Sequence, residues 1–561
     1  MNARPDRERP YGRLRRYREV AAILPKHGFG DLLRTLGLEH HLPGGLRGLA
    51  RRLTVFDEAS RPERVRRALE ELGGTFVKAG QYLSTRSDLL PPDYLSELAK
   101  LQDGVAPFPA AQALRLIEEE LGAPPSTLFK SFEMRPLAAA SVAQVHAAVA
   151  ADGTPVVVKV ERPGLRQVVA ADLDILAQIA ALAERHSEEW RLRQAQRIVA
   201  EIARSVGQEL DFALEAAHAE RFARQFADDP TVCAPRVLRS LSSSRVLTLE
   251  RIVGVKIDDL AALRSAGLDP RVAAERLGRH YLAMILTHGF FHADPHPGNL
   301  RVLPGHAIGY LDFGMMGRLD RDTRETLAET LLAVARRDAS GAARGLLDLA
   351  RYDEEPDLRA FEGDIAELLD RYAYRPLREW RLGEMLDKFF SATARYRVRV
   401  PAELFLMVKT ISELESLARA LDPGFDAVAL AAPFVRRAAR RRLSPRRLAE
   451  DLADSGREAA RLLASAPADL REIIRQARRG RLLIEFEHKG LEPALSTLDR
   501  VSNRLAYSVL LAALVVGSSL LARASVPPLW EGMSLPGLSG FALSGLMAAW
   551  LMIAILRHGR L

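Results

Sequence analysis

The sequence holds a single cysteine, Cys233, in 561 residues. No intrachain disulfide and no thiolate zinc cluster can form from it, and a reducing compartment is its natural home. No recognisable nucleic-acid reader motif is present, and the net charge is only +8, from 80 Lys+Arg against 72 Asp+Glu. That excess is too small and too dispersed for a nucleic-acid footprint, and it fits an anionic membrane surface better. The arginine-rich start (Arg13, Arg15, Arg16, Arg18) is not followed by an apolar run of signal-peptide type. An amphipathic helix over Tyr17–Leu24 is the expectation there. No fixed-period repeat occurs. The two common glycine-rich phosphate loops are missing as well: no G-x-G-x-x-G precedes Lys159, and no G-x4-G-K-[ST] occurs anywhere.

What is present is a chain rich enough in hydrophobic residues, at 48%, to bury a sizeable core. Two long uncharged runs stand near its end, Leu505–Ala522 with 18 residues and Leu538–Leu556 with 19. Each has the length that crosses a bilayer core. Pro527, Pro528 and Gly537 between them suit a tight hairpin. Arg500, Arg504, Arg557 and Arg560 flank the pair, and the positive-inside rule then places the bulk of the chain in the cytoplasm. A buried hairpin of a soluble protein is the competing reading. Gly540/Ser544 and Gly545/Ala549 are small-xxx-small pairs that would let two helices approach closely.

Residues 1–70 read as basic helices, and a helix is expected at Ala110–Leu121. Val145–Val149 and Val156–Val160 flank Asp152-Gly153 and read as a β-hairpin. Helices fill 165–227 and 268–289. Arg245–Arg251 is a strand, 290–316 holds short strands and loops, and 320–480 is Ala/Leu/Arg-rich and helical. A β-rich segment followed by a helical one is the pattern of a two-lobed kinase fold.

The chemistry-bearing residues agree. Phe291-His292-Ala293-Asp294-Pro295-His296-Pro297-Gly298-Asn299 sets an aspartate five residues before an asparagine, the spacing of the protein-kinase catalytic loop. Thirteen residues on stands Asp312-Phe313-Gly314, after the apolar run Ile308–Leu311. Charge on a triphosphate calls for Mg²⁺, and hard Mg²⁺ takes oxygen ligands such as Asp312 and Asn299. Lys159 lies inside Val156-Val157-Val158-Lys159-Val160, where burial demands a partner. That partner is sought in Glu209-Leu210-Asp211-Phe212-Ala213-Leu214-Glu215-Ala216, read as one helix with Asp211 and Glu215 on a shared face. In place of a glycine loop stands Pro136-Leu137-Ala138-Ala139-Ala140-Ser141. Upstream lies Lys78-Ala79-Gly80-Gln81, followed by Ser84-Thr85-Arg86-Ser87-Asp88, which ordinary kinases lack.

Together these residues resemble the UbiB-type atypical kinase-like proteins implicated in ubiquinone biosynthesis. The family's K-x-G-Q is matched by Lys78, Gly80 and Gln81, and its alanine-rich loop by Ala138, Ala139, Ala140 and Ser141. Its E-x-D is matched by Glu209 and Asp211, and its lysine-pairing glutamate by Glu215. Asp294, Asn299 and Asp312 match the catalytic loop and DFG. The resemblance covers about residues 10–330 and extends to the two-span tail. His218 departs from it, standing where the family has asparagine.

The expected fold is α+β and two-lobed. A helical extension spans 1–105, an N-lobe with a helical insertion 106–255, a helical C-lobe 256–500, and a transmembrane hairpin 501–561. The expected catalytic residues are Asp294, Lys159 and Glu215. Ala138–Ser141, Lys159 and Glu250 are expected at the nucleotide, and Asn299 and Asp312 at the metal. Lys78, Gly80, Gln81, Glu209 and Asp211 are expected as regulatory. The resemblance implies ATP and Mg²⁺ (or Mn²⁺) as cofactors, and an inner-membrane location with a cytoplasmic catalytic domain. The implied partners are a membrane lipid or isoprenoid quinone precursor, enzymes of quinone biosynthesis, a second copy of the chain, and no nucleic acid. Two other readings stay open: a small-molecule phosphotransferase of aminoglycoside-kinase type, suggested by H-x-D-x-H-P-x-N, and a non-catalytic nucleotide-binding scaffold.

Overall fold

The computed structural model describes residues 11–29; 59–101 except 85, 87 and 88; and 106–442 except 188–189, 192–193, 353–354, 374–380 and 397. It also describes positions 456–457, 471 and 475, and 491–558 except 525–526 and 531–532. Thr85, Ser87 and Asp88, and nearly all of the helical reading for 443–480, lie outside these. The chain separates into two compact units, Met1–Asp451 and Leu452–Leu561, the second beginning well before the expected boundary at 501.

The first unit opens with helices α1 (Tyr11–Lys26), α2 (Arg61–Leu72), α3 (Gly74–Ser84) and α4 (Pro92–Leu98). Helix α1 is longer than the expected Tyr17–Leu24. Its Val20, Ala21 and Leu24 pack with Leu72 and Phe76. Arg16 reaches the fully buried Asp172 at 2.6 Å. Ser60 caps α2 and Pro62 sits in its first turn.

Helix α5 (Ala110–Leu121), as expected, precedes the short α6 (Pro125–Leu128) and a five-stranded sheet. The strands are β1 (Phe129–Phe132), β2 (Ala138–Ala139), β3 (Ala143–Ala150), β4 (Pro155–Glu161) and, after three intervening helices, β6 (Val246–Glu250). The expected hairpin is β3–β4, with Val145 opposite Lys159. The all-valine run of β4 has a physical reason, since both its faces are covered. Val156, Val158 and Val160 are fully buried with Leu116 and Ile117 of α5. Val157, on the other face, packs with Phe212 and Ala216.

Helices α7 (Leu165–His186), α8 (Ala195–Glu209) and α9 (Phe212–Gln225) follow β4. Glu209 to Ala216 is therefore not one helix. Asp211 leaves the helical conformation and its carboxylate accepts the Ala213 N–H at 3.0 Å, so it caps α9. Asp211 and Glu215 do not share a cation.

The helical lobe carries a small sheet of β5 (Val232–Cys233), β7 (Val255–Lys256), β9 (Leu300–Val302) and β10 (Ile308–Tyr310), with β8 (Phe290–His292) paired to β11 (Met316–Arg318). Helices α10 (Leu260–Ser265) and α11 (Pro270–Leu282) come before β8. A Cβ on Gly317 would run into the Phe291 ring opposite it, so only glycine fits there. Only six residues, Met315–Asp320, join Gly314 to α12 (Arg321–Ala335). Helices α13 (Ala339–Asp348), α14 (Leu358–Ala373), α15 (Leu382–Thr393), α16 (Ala402–Leu421) and α17 (Ala427–Arg442) complete the lobe. Its core gathers Phe222, Tyr281, Phe290, Phe291, Tyr310 and Phe313.

In the second unit, α18 (Leu491–Arg523) and α19 (Leu535–His558) are joined through a short β12 (Leu529–Trp530) and β13 (Met533–Ser534). Among the described residues one helical segment, Leu505–Arg523, is long and apolar enough to cross a membrane; Leu535–Ala549 is a shorter apolar helix. A Cβ on Gly540 would collide with Ser518, so this glycine does permit close approach, whereas Gly545 faces open space.

Buried His280 sits between Thr231 Oγ1 (2.9 Å) and the Tyr310 hydroxyl (3.2 Å). Burial pushes its imidazole down to about 4, with Asp229 opposing and Arg276 adding. Its folded value is below the unfolded one, so its contribution is present above pH ~6.5 and is lost as pH falls toward 4. We expect His280→Gln to flatten the acid limb of stability by on the order of 2–3 kcal/mol, measured by denaturant unfolding between pH 7 and pH 4.

Candidate active site

The site is built around one ammonium. Lys159 Nζ donates to both oxygens of Glu215, at 2.9 and 2.8 Å, and to Asp312 Oδ2 at 3.2 Å. It also lies 5.3 Å over the Phe212 ring, a favourable cation–π placement. Burial opposes the Lys159 charge, but Asp312 and Glu215 overcome it and hold the group above the ordinary lysine value. Burial also acts on Asp312, yet Lys159 and the Gly314 N–H (2.8 Å) bring its carboxyl down to about 2. The triad is therefore ionic at neutral pH at Lys159 and Asp312.

Helix α9 presents two more residues at the correct phase. Glu215 is its fourth residue and His218 the seventh, so both face Asp312-Phe313-Gly314. His218 Nδ1 donates to the Phe313 carbonyl at 3.1 Å. Burial lowers its pKa, keeping the imidazole neutral. Imidazole Nδ1 and asparagine Nδ2 occupy the same place, one bond beyond Cγ, so the departure at 218 preserves the donor.

His292 joins the catalytic loop to DFG. Its Nε2 lies 2.5 Å from the Asp312 carbonyl, and its Nδ1 accepts the Asp294 N–H at 3.3 Å. Only the neutral tautomer protonated on Nε2 satisfies both, and burial lowers its pKa accordingly. Asn299 Nδ2 donates to Asp294 Oδ2 at 2.8 Å, leaving its amide oxygen as an acceptor. From below, the Thr410 hydroxyl on α16, whose one proton is shared with the Leu406 carbonyl at 2.8 Å, lies 3.2 Å from the Ala293 carbonyl. The roles of His292, Thr410 and Phe212 were not legible in the motif spacing. His292 alone had a signal, its place two residues before Asp294.

Among the described residues no three histidine, cysteine or carboxylate side chains gather around one point. A metal here would take one carboxylate (Asp312) and one amide oxygen (Asn299), the rest coming from phosphate and water, which suits Mg²⁺.

The alanine tract is strand and turn, not helix. Ala138 and Ala139 pair with Val145 and Gln144, and Ala140 N–H donates to Ala143 O at 2.8 Å. No residue from 138 to 142 has positive φ, so glycine is not required. Arg162 fixes the turn by donating to Ala140 O at 2.8 Å and Ala106 O at 2.7 Å. The Ser141 hydroxyl is buried without a hydrogen-bond partner.

The K-x-G-Q residues lie on α3. Lys78 pairs with Glu209 at 3.3 Å, both about four-fifths buried. Gly80 leaves room for Leu101 and Leu69, and Gln81 Nε2 donates to Leu101 O at 3.1 Å. At one end of α3 a Cβ on Gly74 would touch Ser141 at 3.4 Å. Just past the other end, the Arg86 guanidinium lies 5.9 Å from the Phe405 ring on α16. The segment thus reaches from the alanine turn to the helix beneath the catalytic loop. Glu250 stands apart: it is exposed and faces Arg236 at 3.4 Å, outside the network around Lys159.

Comparison with known proteins agrees with this geometry. Residues 100–345 match the ABC1 atypical kinase-like domain, 365–426 the UbiB helical domain, and 489–557 the ABC1/UbiB kinase-like C-terminal domain. A Marinobacter nauticus protein named probable protein kinase UbiB is 39% identical over 70% of this chain and 73% of its own. The chain belongs to the UbiB-type atypical kinase-like family. An uncharacterised Clostridium pasteurianum protein from the hydrogenase 1 5′ region is 30% identical over 97% of this chain and 99% of its own. A Mycobacterium tuberculosis protein solved as a complex with erythromycin matches 63% of this UbiB-type chain and 90% of its own, at 26% identity and a TM-score of 0.45.

Removing one hydrogen bond costs ~0.5–1.5 kcal/mol, a factor of about 2–13. His218→Ala should weaken nucleotide binding by that factor, while His218→Asn should retain it. Equilibrium titration with a fluorescent ATP analogue checks both; equal losses in the two variants would disprove the donor role.

Proposed function

We propose that this protein is a membrane-anchored kinase-like ATPase that uses Mg-ATP (or Mn-ATP) to support isoprenoid quinone, specifically ubiquinone, biosynthesis. The observation that carries the reading is the closed set Lys159–Glu215–Asp312 with Asp294–Asn299 beside it. A nucleotide-binding scaffold has no need of all five. Bound Mg²⁺ would neutralise phosphate charge between Asp312 and Asn299. Lys159, held by Glu215, would position phosphate oxygens. Ala138–Ser141 would cover the phosphates, with the Ser141 hydroxyl free to donate. Asp294, oriented by the Asn299 amide, would accept the proton of the attacking hydroxyl at a carboxylate oxygen.

The Lys78–Glu209 pair argues for a restrained acceptor side. With α3 strung between the alanine turn and α16, water or a small lipid acceptor is favoured over a protein substrate. The apolar Leu505–Arg523 helix, with Leu505, Val509, Leu510 and Leu520 exposed, supports a membrane anchor. With α19 it would form a hairpin whose flanking arginines keep the catalytic unit cytoplasmic. The proposed partners are a membrane lipid or isoprenoid quinone precursor, enzymes of quinone biosynthesis and a second copy of the chain.

Asp312→Asn should lower ATP turnover by about 100-fold or more, the order expected for loss of one electrostatic stabiliser of a transition state. Turnover by purified protein with and without anionic liposomes, together with the quinone profile of cells carrying the variant, tests the reading. Undiminished turnover and an unaltered quinone profile would refute it. Deleting residues 500–561 should give a protein that stays in solution without detergent and still binds ATP. Continued detergent dependence with loss of ATP binding would show that the tail belongs to the catalytic core.

A further inference from the structure

The helical lobe contains a cavity of about 1040 Å³ bounded by α12, α13, α15 and α17. Its lining takes nothing from the Lys159 network. The floor is apolar, with Met385 of α15 and Val435 of α17 both buried against it. Four exposed arginines stand around it: Arg336 and Arg344 at the α12–α13 turn and on α13, Arg436 and Arg440 on α17.

None of the four has an ion-pair partner among the described residues. Elsewhere in the lobe Arg321 pairs with Glu325 at 3.0 Å, Arg371 with Glu367 at 2.5 Å and Arg419 with Glu415 at 2.9 Å. Arg359 and Arg437, like these four, have no ion pair among the described residues; the four differ from those two in lining the cavity. Arg436 and Arg440 are spaced i, i+4, so two like charges sit on one helical face, an arrangement that costs a helix stability. Glu329 and Asp348 also line the cavity yet leave all four guanidiniums unpaired. Asp338 is committed to capping α13 through the Gly341 N–H at 2.8 Å.

An apolar floor calls for an aliphatic body, and unpaired guanidiniums at its edge call for an oxyanion they can bind bidentately. The volume suits a lipid-sized ligand. We propose that this cavity binds an amphiphile with one anionic head, phosphate or carboxylate, and a hydrocarbon tail. Such a head is found both on membrane phospholipids and on soluble isoprenoid acids. The site stands whether or not the ATP site turns over.

Full-length protein in a non-ionic detergent would be titrated calorimetrically with tetradecyl phosphate, tetradecanol and inorganic phosphate. Saturable binding of tetradecyl phosphate, at least tenfold tighter than the alcohol, is expected, with inorganic phosphate too weak to detect. The double variant Arg436→Gln/Arg440→Gln should weaken tetradecyl phosphate at least tenfold while keeping ATP affinity and the unfolding midpoint. Arg344→Gln provides an independent variant should the double one fold poorly. Displacement by phosphatidylglycerol would assign the site to membrane lipid, and displacement by a prenylated benzoic acid to a soluble isoprenoid. Equal affinity for the alcohol and the phosphate, unchanged binding in folded variants, or no displacement by either lipid would overturn the proposal.

Discussion

One ammonium between two carboxylates sets the terms for the catalytic unit. Lys159 is largely shielded from water, so its charge must be met on the spot. It is met from a helix in one lobe and from a strand end in the other, at Glu215 and Asp312. Each must arrive within hydrogen-bonding reach, which constrains elements far beyond the three residues. Strand β4 carries valines on both sides because α5 covers one face and α9 the other. Helix α9 must begin at one residue and no other. Its Asp211 cap sets the rotation that brings Glu215 and His218 together onto DFG, and a shift of one residue would turn both away by ~100°.

The second layer of order is made of neutral histidines. His292 and His218 hold the carbonyls of Asp312 and Phe313, and burial keeps both uncharged. They act as fixed dipoles. A charged imidazole beside Asp312 would compete with Lys159 for the same carboxylate. The DFG backbone is therefore gripped without disturbing the charge balance among Lys159, Glu215 and Asp312.

Much of this was legible in the residues. The β3–β4 hairpin and the order of catalytic loop and DFG follow from spacing. The need for an acidic partner follows from the cost of an unpaired lysine in a valine strand, and Glu215 as that partner follows from the family resemblance. What was not legible has local causes. Asp211 reads as part of a helical acidic face, because periodicity cannot distinguish an aspartate inside a helix from one that ends a helix and starts the next. The alanine tract reads as a loop in place of the glycine loop, and propensity is silent on the pairing of Ala138 and Ala139 with Val145 and Gln144 that makes part of it a strand. Glu250, expected at the nucleotide, has its side chain beside Arg236 at 3.4 Å. The pairing of Lys78 with Glu209 follows from the charges of the two segments, whereas the Gln81 contact with the Leu101 carbonyl is one that no local pattern reports.

The brevity of the link between Gly314 and α12 has a regulatory meaning. Met315, Met316, Gly317, Arg318, Leu319 and Asp320 include no serine, threonine or tyrosine. No side chain in that stretch can be esterified by phosphate, and Gly317 is pinned against Phe291. The lever by which many kinases are switched on, a long activation loop ordered by its own modification, has no material here. Asp312 is held in place by the fold from the outset, through Lys159, the Gly314 N–H and His292, so any control of the site would have to act through α3 or the helical lobe.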